Sequence, residues 1–312
     1  MHRTILIAAM LALFAPLSGI ATEAIPPVTA SASAKSAEKF TVGPMLVERH
    51  GSTGSPMILI PGLSSGPYVW DDLVREFGKE HVLYLVTLPG FHGQSAVGGD
   101  LVAGVDTWLG ELIATRKLVK PILVGHSLGA TFSFAYAENH AEQIGGVIAI
   151  DGLPVMPGTE NLQLAQRPAM ANGMRARMAG VTRDSFAAQQ KSFMHSPFGV
   201  MDSANADRLA ASSALSDPAA VTEYMAQVVA LDLRSGLPKI RVPVLMIAPF
   251  HEADMIAAGM PMRAADKAAY YKGLLAGTPK LQVVTVSPAR HFAMIDQPQQ
   301  VREAIRAYLK AQ

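Results

Sequence analysis

The stretch "PILVGHSLGATFSFAYAENH", residues 121–140, decides the fold. It runs from an apolar burst through a serine into a long segment of small and apolar residues. Gly125 and Gly129 flank Ser127 two positions to either side. Side chains there would collide if a strand folded sharply back into a helix. A strained turn of this kind lifts a serine hydroxyl above the edge of a sheet, the geometry of a nucleophile elbow. The plainer reading is a glycine-rich strand-to-helix turn. A phosphate-binding loop would need Gly-Lys-Ser or Gly-Lys-Thr at its end, and neither follows. The Gly-x-Ser-x-Gly pattern is common by chance, so the surrounding chain has to supply the context.

Outward from this turn, short apolar runs alternate with helical patterns. "PMILI" (56–60), "HVLYLVTL" (81–88), "PILVG" (121–125) and "GGVIAID" (145–151) read as buried strands. Between them, "WDDLVREFG" reads as a helix with Asp near its start. "DLVAGVDTWLGELIATRKL" places Leu101, Val105, Trp108, Leu109, Leu112 and Ile113 at helical spacing. Fully apolar strands alternating with helices predict a parallel sheet covered on both faces. The pattern then changes: residues 155–238 carry helical stretches rich in Ala, Met and Gln and no convincing strand. Strand signals resume at "VPVLMIAPF" (242–250) and "LQVVTVSPA" (281–289), and "PQQVREAIRAYLKA" closes the chain as an amphipathic helix. The expected fold class is α/β, with a mostly parallel central sheet, helices on both faces and an inserted helical block. Its core falls at 42–154 and 239–312, and the insertion, far longer than an ordinary loop, at 155–238.

The first residues read as a secretory leader: Arg3 supplies a positive start, and Ile5 to Phe14 form an apolar run short for a bilayer span. Small residues at Gly19 and Ala21 suit cleavage after Ala21, with Thr22-Glu23-Ala24 as a second option. The competing reading is an uncleaved anchor. Cleavage predicts an exported protein, periplasmic or extracellular, with no stable membrane span and a disordered lead-in at 22–41. Half of the 312 residues are hydrophobic, 16% are charged and the formal net charge is +1, with Lys and Arg scattered. Such a chain can bury a large core, and it lacks the basic stripe of a nucleic-acid binder. It contains 0 cysteines, which excludes disulfides, thiolate catalysis and thiolate metal sites.

The motifs "PGLSSG" (61–66), "GHSLG" (125–129) and "ARHFAMIDQP" (289–298), in this order, resemble the α/β-hydrolase fold family across nearly all of residues 45–312. The resemblance implies a serine hydrolase of the esterase type, its block at 155–238 a helical cap, acting on a small-molecule substrate without a cofactor or metal. Ser127 is the expected nucleophile, and a base must take its proton. Of the 9 histidines, His291 follows a strand and precedes the last helix, where the family keeps its base. His126 lies beside the serine, but neighbours on a tight turn diverge, so it is expected to pack beneath. His50, His81 and His140 read as solvated, while His92 and His195 sit in stretches able to line a pocket.

The oxyanion hole is expected from the backbone N–H groups of Leu63 and Leu128. The acid is expected at Asp254, in the loop after "VPVLMIA", although Pro249 stands where the family has glycine and Asp254 lies about two residues late. Glu252 occupies the expected offset, and Asp151, ending "GGVIAID", is the alternate acid, at the address used by a minority of the family. The reaction class is acyl transfer to water from an ester, lactone, thioester or amide. A small or medium apolar group is favoured by a methionine-rich insertion, with Tyr68 and Trp70 beside the oxyanion loop. Carbon–carbon bond hydrolases, lyases and cofactor-free haloperoxidases share the same triad and stay open, as does a non-catalytic binding module on this fold.

Overall fold

The computed structural model describes residues 37–312, so the leader expected at 1–21 and the lead-in up to residue 36 lie outside the described residues. Eight strands form one sheet: β1 (Glu38–Val42), β2 (Met45–His50), β3 (Pro56–Ile60), β4 (Val82–Thr87), β5 (Ile122–His126), β6 (Gly146–Ile150), β7 (Val244–Pro249) and β8 (Leu281–Val286). Their order is β1-β2-β4-β3-β5-β6-β7-β8. The β1–β2 and β2–β4 pairs are antiparallel, and every pair from β4 to β8 is parallel. The lead-in boundary is corrected here. Residues 38–41 belong to β1, which pairs with β2 from Glu38↔Arg49 to Val42↔Met45. A polar edge strand of this kind carries no apolar run to announce it.

The inner parallel strands β3, β5, β6 and β7 are largely apolar because both of their faces are covered, whereas the edge strand β8 carries exposed Gln282. Alternate residues go to opposite cores. Ile58, Ile60, Leu123, Val147, Ala149, Val244 and Met246 face one core, together with Leu109 and Leu112 of α2 (Leu101–Thr115) and Phe134 of α3 (Leu128–His140). Met57, Leu59, Ile122, Val124, Ile148, Ile150, Leu245 and Ile247 face the other. That side is closed by Leu73 and Phe77 of α1 (Asp71–Phe77) and by Ile305 and Tyr308 of the C-terminal helix, residues Pro298–Lys310. Tyr308 Oη donates to Pro243 O at 2.9 Å, and Arg302 Nη1 reaches both oxygens of Asp72 at 2.7 Å, fastening the last helix to β7 and α1.

Between β6 and β7 the chain makes four helices: α4 (Arg167–Met178), α5 (Arg183–His195), α6 (Ser203–Ser213) and α7 (Pro218–Ala230). Side-chain oxygens of Thr182, Asp202 and Asp217 cap α5, α6 and α7, and Pro at the start of α7 suits a position whose N–H has no intrahelical partner. After β7 come α8 (Glu252–Ala257) and α9 (Ala264–Leu274), and after β8 a single turn, α10 (Ala293–Asp296), before the C-terminal helix α11 (Pro298–Lys310).

The turn between α6 and α7 clasps the loop after β3. Ser64 Oγ donates to Ser213 O at 2.9 Å and Ser216 Oγ donates to Ser64 O at 3.3 Å. Beside them, Gly93 N–H donates to Leu215 O and Asp217 N–H to Gly90 O. On the far side of the insertion, the fully buried Arg167 ties α4 to the end of α7. It donates to Thr159 O at 2.9 Å, Leu231 O at 2.8 Å and Asp232 Oδ2 at 3.1 Å. Replacing it strands buried acceptors. Arg167→Met is predicted to lower unfolding free energy by about 3 kcal/mol in a denaturant titration. A change under about 0.5 kcal/mol would refute this role.

Candidate active site

Strand β5 ends at His126, and the chain turns at Ser127 with φ 51° and ψ −120° before entering α3. A left-handed backbone at a non-glycine residue stores strain of about 1–3 kcal/mol and needs support from its surroundings. Ser127 N–H donates to Ile150 O at 2.9 Å, and Ser127 O accepts from Ala130 N–H at 2.9 Å. The two glycines read from the sequence have steric reasons. A Cβ on Gly125 would strike Ala130 N and Gly129 O, and one on Gly129 would strike Ile60 O.

The loop after β3 comes against this turn. A Cβ on Gly62 would sit 2.8 Å from His126 Nδ1 and 3.1 Å from Ser127 Cβ. The Leu63 and Leu128 N–H groups flank the turn, and among the described residues neither donates to a protein acceptor. Leu128 opens α3, where N–H groups have no partner within the helix. Ser64 holds φ 58° and is buried, its oxygens engaged by the α6–α7 turn. The inserted helices therefore hold the loop that carries Leu63.

His291 lies in the loop after β8. Its Nδ1 is 2.6 Å from Asp151 Oδ2, and because an ionised carboxylate only accepts, Nδ1 carries the proton. Asp151 follows β6 directly, with φ 47°, and its N–H donates to Ile247 O. Ser127 is bonded to the residue just before it, so serine, aspartate and histidine converge at the carboxyl ends of β5, β6 and β8. Burial pushes the Asp151 carboxyl up. The Lys267 charge, the bond and charge of His291 and the Tyr271 bond outweigh that and hold it well below the usual carboxylate range.

The acid was expected at Asp254, with Asp151 as the alternate; the carboxylate that meets His291 is Asp151. Arg290 Nε and Nη2 grip both oxygens of Asp254, at 2.7 and 2.9 Å, and His251 Nδ1 lies 2.8 Å from it. Asp254 is thus turned to Arg290 and His251, while the carboxylate hydrogen-bonded to His291 is that of Asp151. Glu252 is exposed at the start of α8.

His126 packs beneath the turn as its position predicts. It is fully buried, and its ring centroid lies 4.6 Å from those of both His291 and Phe292. Its Nε2–H donates to His291 O at 3.0 Å, which fixes the tautomer because a carbonyl only accepts. Burial, with a smaller contribution from the charge of His291, pushes the His126 pKa down to about 3, so the ring stays neutral. It braces the main chain of His291.

Of the histidines read as pocket candidates, His92 packs against Tyr68 at 5.1 Å, whereas His195 pairs with Asp207 at the surface. Trp70 is buried in the sheet core, while Tyr68 bonds Ser213 Oγ at 3.1 Å. Met174, Met178 and Met194 are buried packing residues. From α5, Phe193 presents its ring edge-on to His291 at 6.5 Å. A groove of about 790 Å³ between α2, α4 and α7 contains none of the groups around Ser127.

Sequence reading does not find Tyr271 and Lys267. Both stand on α9 against Asp151, in a segment with no motif to mark it. The Arg290–Asp254 pair had one visible sign: an arginine immediately before the histidine.

Residues 57–304 match the family described as "Alpha/beta hydrolase family". N-formylmaleamate deformylase of Pseudomonas putida is 29% identical over 131 residues, 41% of this chain and 43% of that protein. The chain thus aligns with less than half the length of that curated relative. Among solved structures, the enol-lactonase from Burkholderia xenovorans LB400 superposes with a TM-score of 0.68 at 16% identity, over 88% of this chain and all of that one. A thermophilic esterase from Thermogutta terrifontis gives 0.62 at 20% identity, over 86% and 93%. At these identities the structures speak for the fold.

Two substitutions separate the carboxylates. Asp151→Asn is predicted to cost on the order of 10⁴-fold in turnover, because the amide cannot stabilise an imidazolium or hold the right tautomer. Asp254→Asn is predicted to reduce thermal stability, with turnover falling less than about tenfold. The reverse ranking of turnover in folded proteins would return the acid to Asp254.

Proposed function

Since the chain belongs to the alpha/beta hydrolase family, we propose that it is a serine hydrolase acting through an acyl-enzyme on Ser127. The observation that carries this reading is a strained, left-handed Ser127 bonded through its N–H to Ile150, beside the partly buried Asp151–His291 pair. In the proposed reaction, His291 Nε2 takes the hydroxyl proton as Ser127 Oγ attacks an acyl carbon. Asp151 steadies the resulting imidazolium, and the Leu63 and Leu128 N–H groups receive the oxyanion. The imidazolium then protonates the leaving group, and water enters by the same route in reverse. Each step needs His291 neutral before attack, so the rate rises with pH along the limb set by the histidine–aspartate pair.

The substrate class we favour is a small or medium carboxylic ester, including lactones and thioesters, with an apolar acyl group. Its support is the closeness of the inserted helices, which form a cap. Phe193 stands against His291, and the Gly199 and Val200 carbonyls bond to Phe292 N–H and Arg290. A second reading, amide hydrolysis, is favoured by the partial match to a deformylase. Fluorophosphonate should label the wild type once, at Ser127, and Ser127→Ala hardly at all. Across p-nitrophenyl esters, kcat/KM should fall as the acyl chain lengthens, and a lactone should be opened. Equal labelling of Ser127→Ala would overturn the nucleophile. Turnover of a formamide with no ester or lactone hydrolysis would select the amide reading.

We further propose that the protein is exported, with residues 1–21 removed; the support is the basic-then-apolar pattern from Arg3 to Phe14. Intact-mass measurement of the protein from its native host should give a chain beginning at Thr22. A cytosolic chain beginning at Met1 would refute this.

A further inference from the structure

Asp151 has two carboxylate oxygens, and only Oδ2 serves His291. The other, Oδ1, accepts from the Tyr271 hydroxyl, and Lys267 Nζ stands 4.0 Å from the same oxygen. Both residues come from α9, four positions apart, so they share one helix face. The Lys267 ammonium also lies 5.3 Å from the centroid of the Tyr271 ring, holding the two side chains together. Resting on the reading of Asp151 and His291 as the catalytic pair, we infer that Tyr271 and Lys267 are positioning residues. They fix the Asp151 rotamer and draw part of its negative charge away from His291.

The physical case begins with burial. The Asp151 side chain is 9% exposed, so an oxygen without a donor would pay the cost of lost hydration. Tyr271 supplies that donor and stays protonated, since burial, with the Asp151 charge behind it, holds its hydroxyl well above the usual range. With a separate donor on each oxygen, rotating the carboxylate away from the imidazole would break both bonds. Among the described residues, the charged and titratable groups facing the pair are few. From β5 comes the neutral His126 ring; from the loop after β8, His291 itself; and from α9, Lys267 and Tyr271. The neighbouring Tyr270 is engaged by Glu160, which also sits beside Arg234.

The sign of the electrostatic effect follows. A cation 4.0 Å from Asp151 and a hydroxyl bonded to it both stabilise the carboxylate without help from His291. Removing either leaves more of the negative charge to be balanced by the imidazolium. The base then keeps its proton to higher pH, and the acid limb of the rate profile moves upward.

The test uses the full chain and needs no knowledge of the substrate. The second-order rate of Ser127 labelling by fluorophosphonate is measured against pH for the wild type, Tyr271→Phe, Lys267→Met and Lys267→Arg, each checked by thermal melt. Tyr271→Phe and Lys267→Met should move the acid limb up by about 0.5–1 unit, so that labelling on that limb slows about three- to tenfold. Lys267→Arg, keeping the charge, should restore the wild-type limb. A packing role alone would lower the melting temperature and leave the limb in place. Limbs that superimpose, or move downward, in folded variants overturn the inference. Should Tyr271→Phe not fold, Lys267→Met decides alone, because its ammonium is at the partly exposed rim. Wild-type protein that fails to label at Ser127 would bring down the serine-hydrolase reading, and this inference with it. A labelled wild type with unmoved variants brings down this inference only.

Discussion

The left-handed backbone at Ser127 is the constraint on which the rest of the site depends. A serine held at φ 51° stays there only while its neighbours leave it no other conformation. Gly125 and Gly129 lack the side chains that would block the tight return into α3, and Gly152 lets the chain after β6 pass against Ser127 O. The hydrogen bond from Ser127 to Ile150 ties the turn to the end of β6, one residue from Asp151. The positions of Ser127 and Asp151 relative to each other are thus set by backbone contacts between adjacent strands. His126, on the other side of the turn, supports the main chain of His291. Sheet register and one strained residue together bring distant parts of the chain to one place.

Burial acts on the two titratable neighbours of His291 in opposite ways. His126 has one acceptor to donate to, while its Nδ1 is buried without a partner, so the ring stays uncharged. Asp151 is also largely enclosed, yet it has a donor on each oxygen and an ammonium nearby, so its charge persists. Depth in the protein does not decide the charge state; the number of donors and cations within reach does. His291 therefore lies between a neutral histidine ring and an anion.

Much of this architecture was legible in the sequence. The parallel strands announce themselves because strands covered on both faces must be apolar, and the turn at Ser127 because only glycine fits beside it. The β1–β2 hairpin was less visible: β1 is an edge strand with exposed Glu38 and Lys39, and its place is fixed by pairing rather than by composition. Helix α9 was missed for a similar reason, since "AADKAAYYKGL" has no clear apolar stripe. Asp254 was expected and the alternate, Asp151, is the one that meets His291: β6 and β7 are neighbours, and an aspartate follows each of them. What separates Asp151 from Asp254 is a tertiary partner, Arg290, whose grip on Asp254 is not written in the spacing of either residue.

The clasp between the α6–α7 turn and the loop after β3 bears on how molecules enter and leave. Ser64 both donates to and accepts from that turn, while His92, Gly93 and Asp217 add backbone bonds along the same seam. Swinging α6 and α7 outward as a door would break all of these contacts together and slacken the loop carrying Leu63. This edge of the insertion is a fixed jamb rather than a hinged leaf. A molecule approaching Ser127 from another part of the rim would leave these bonds, and the loop carrying Leu63, undisturbed.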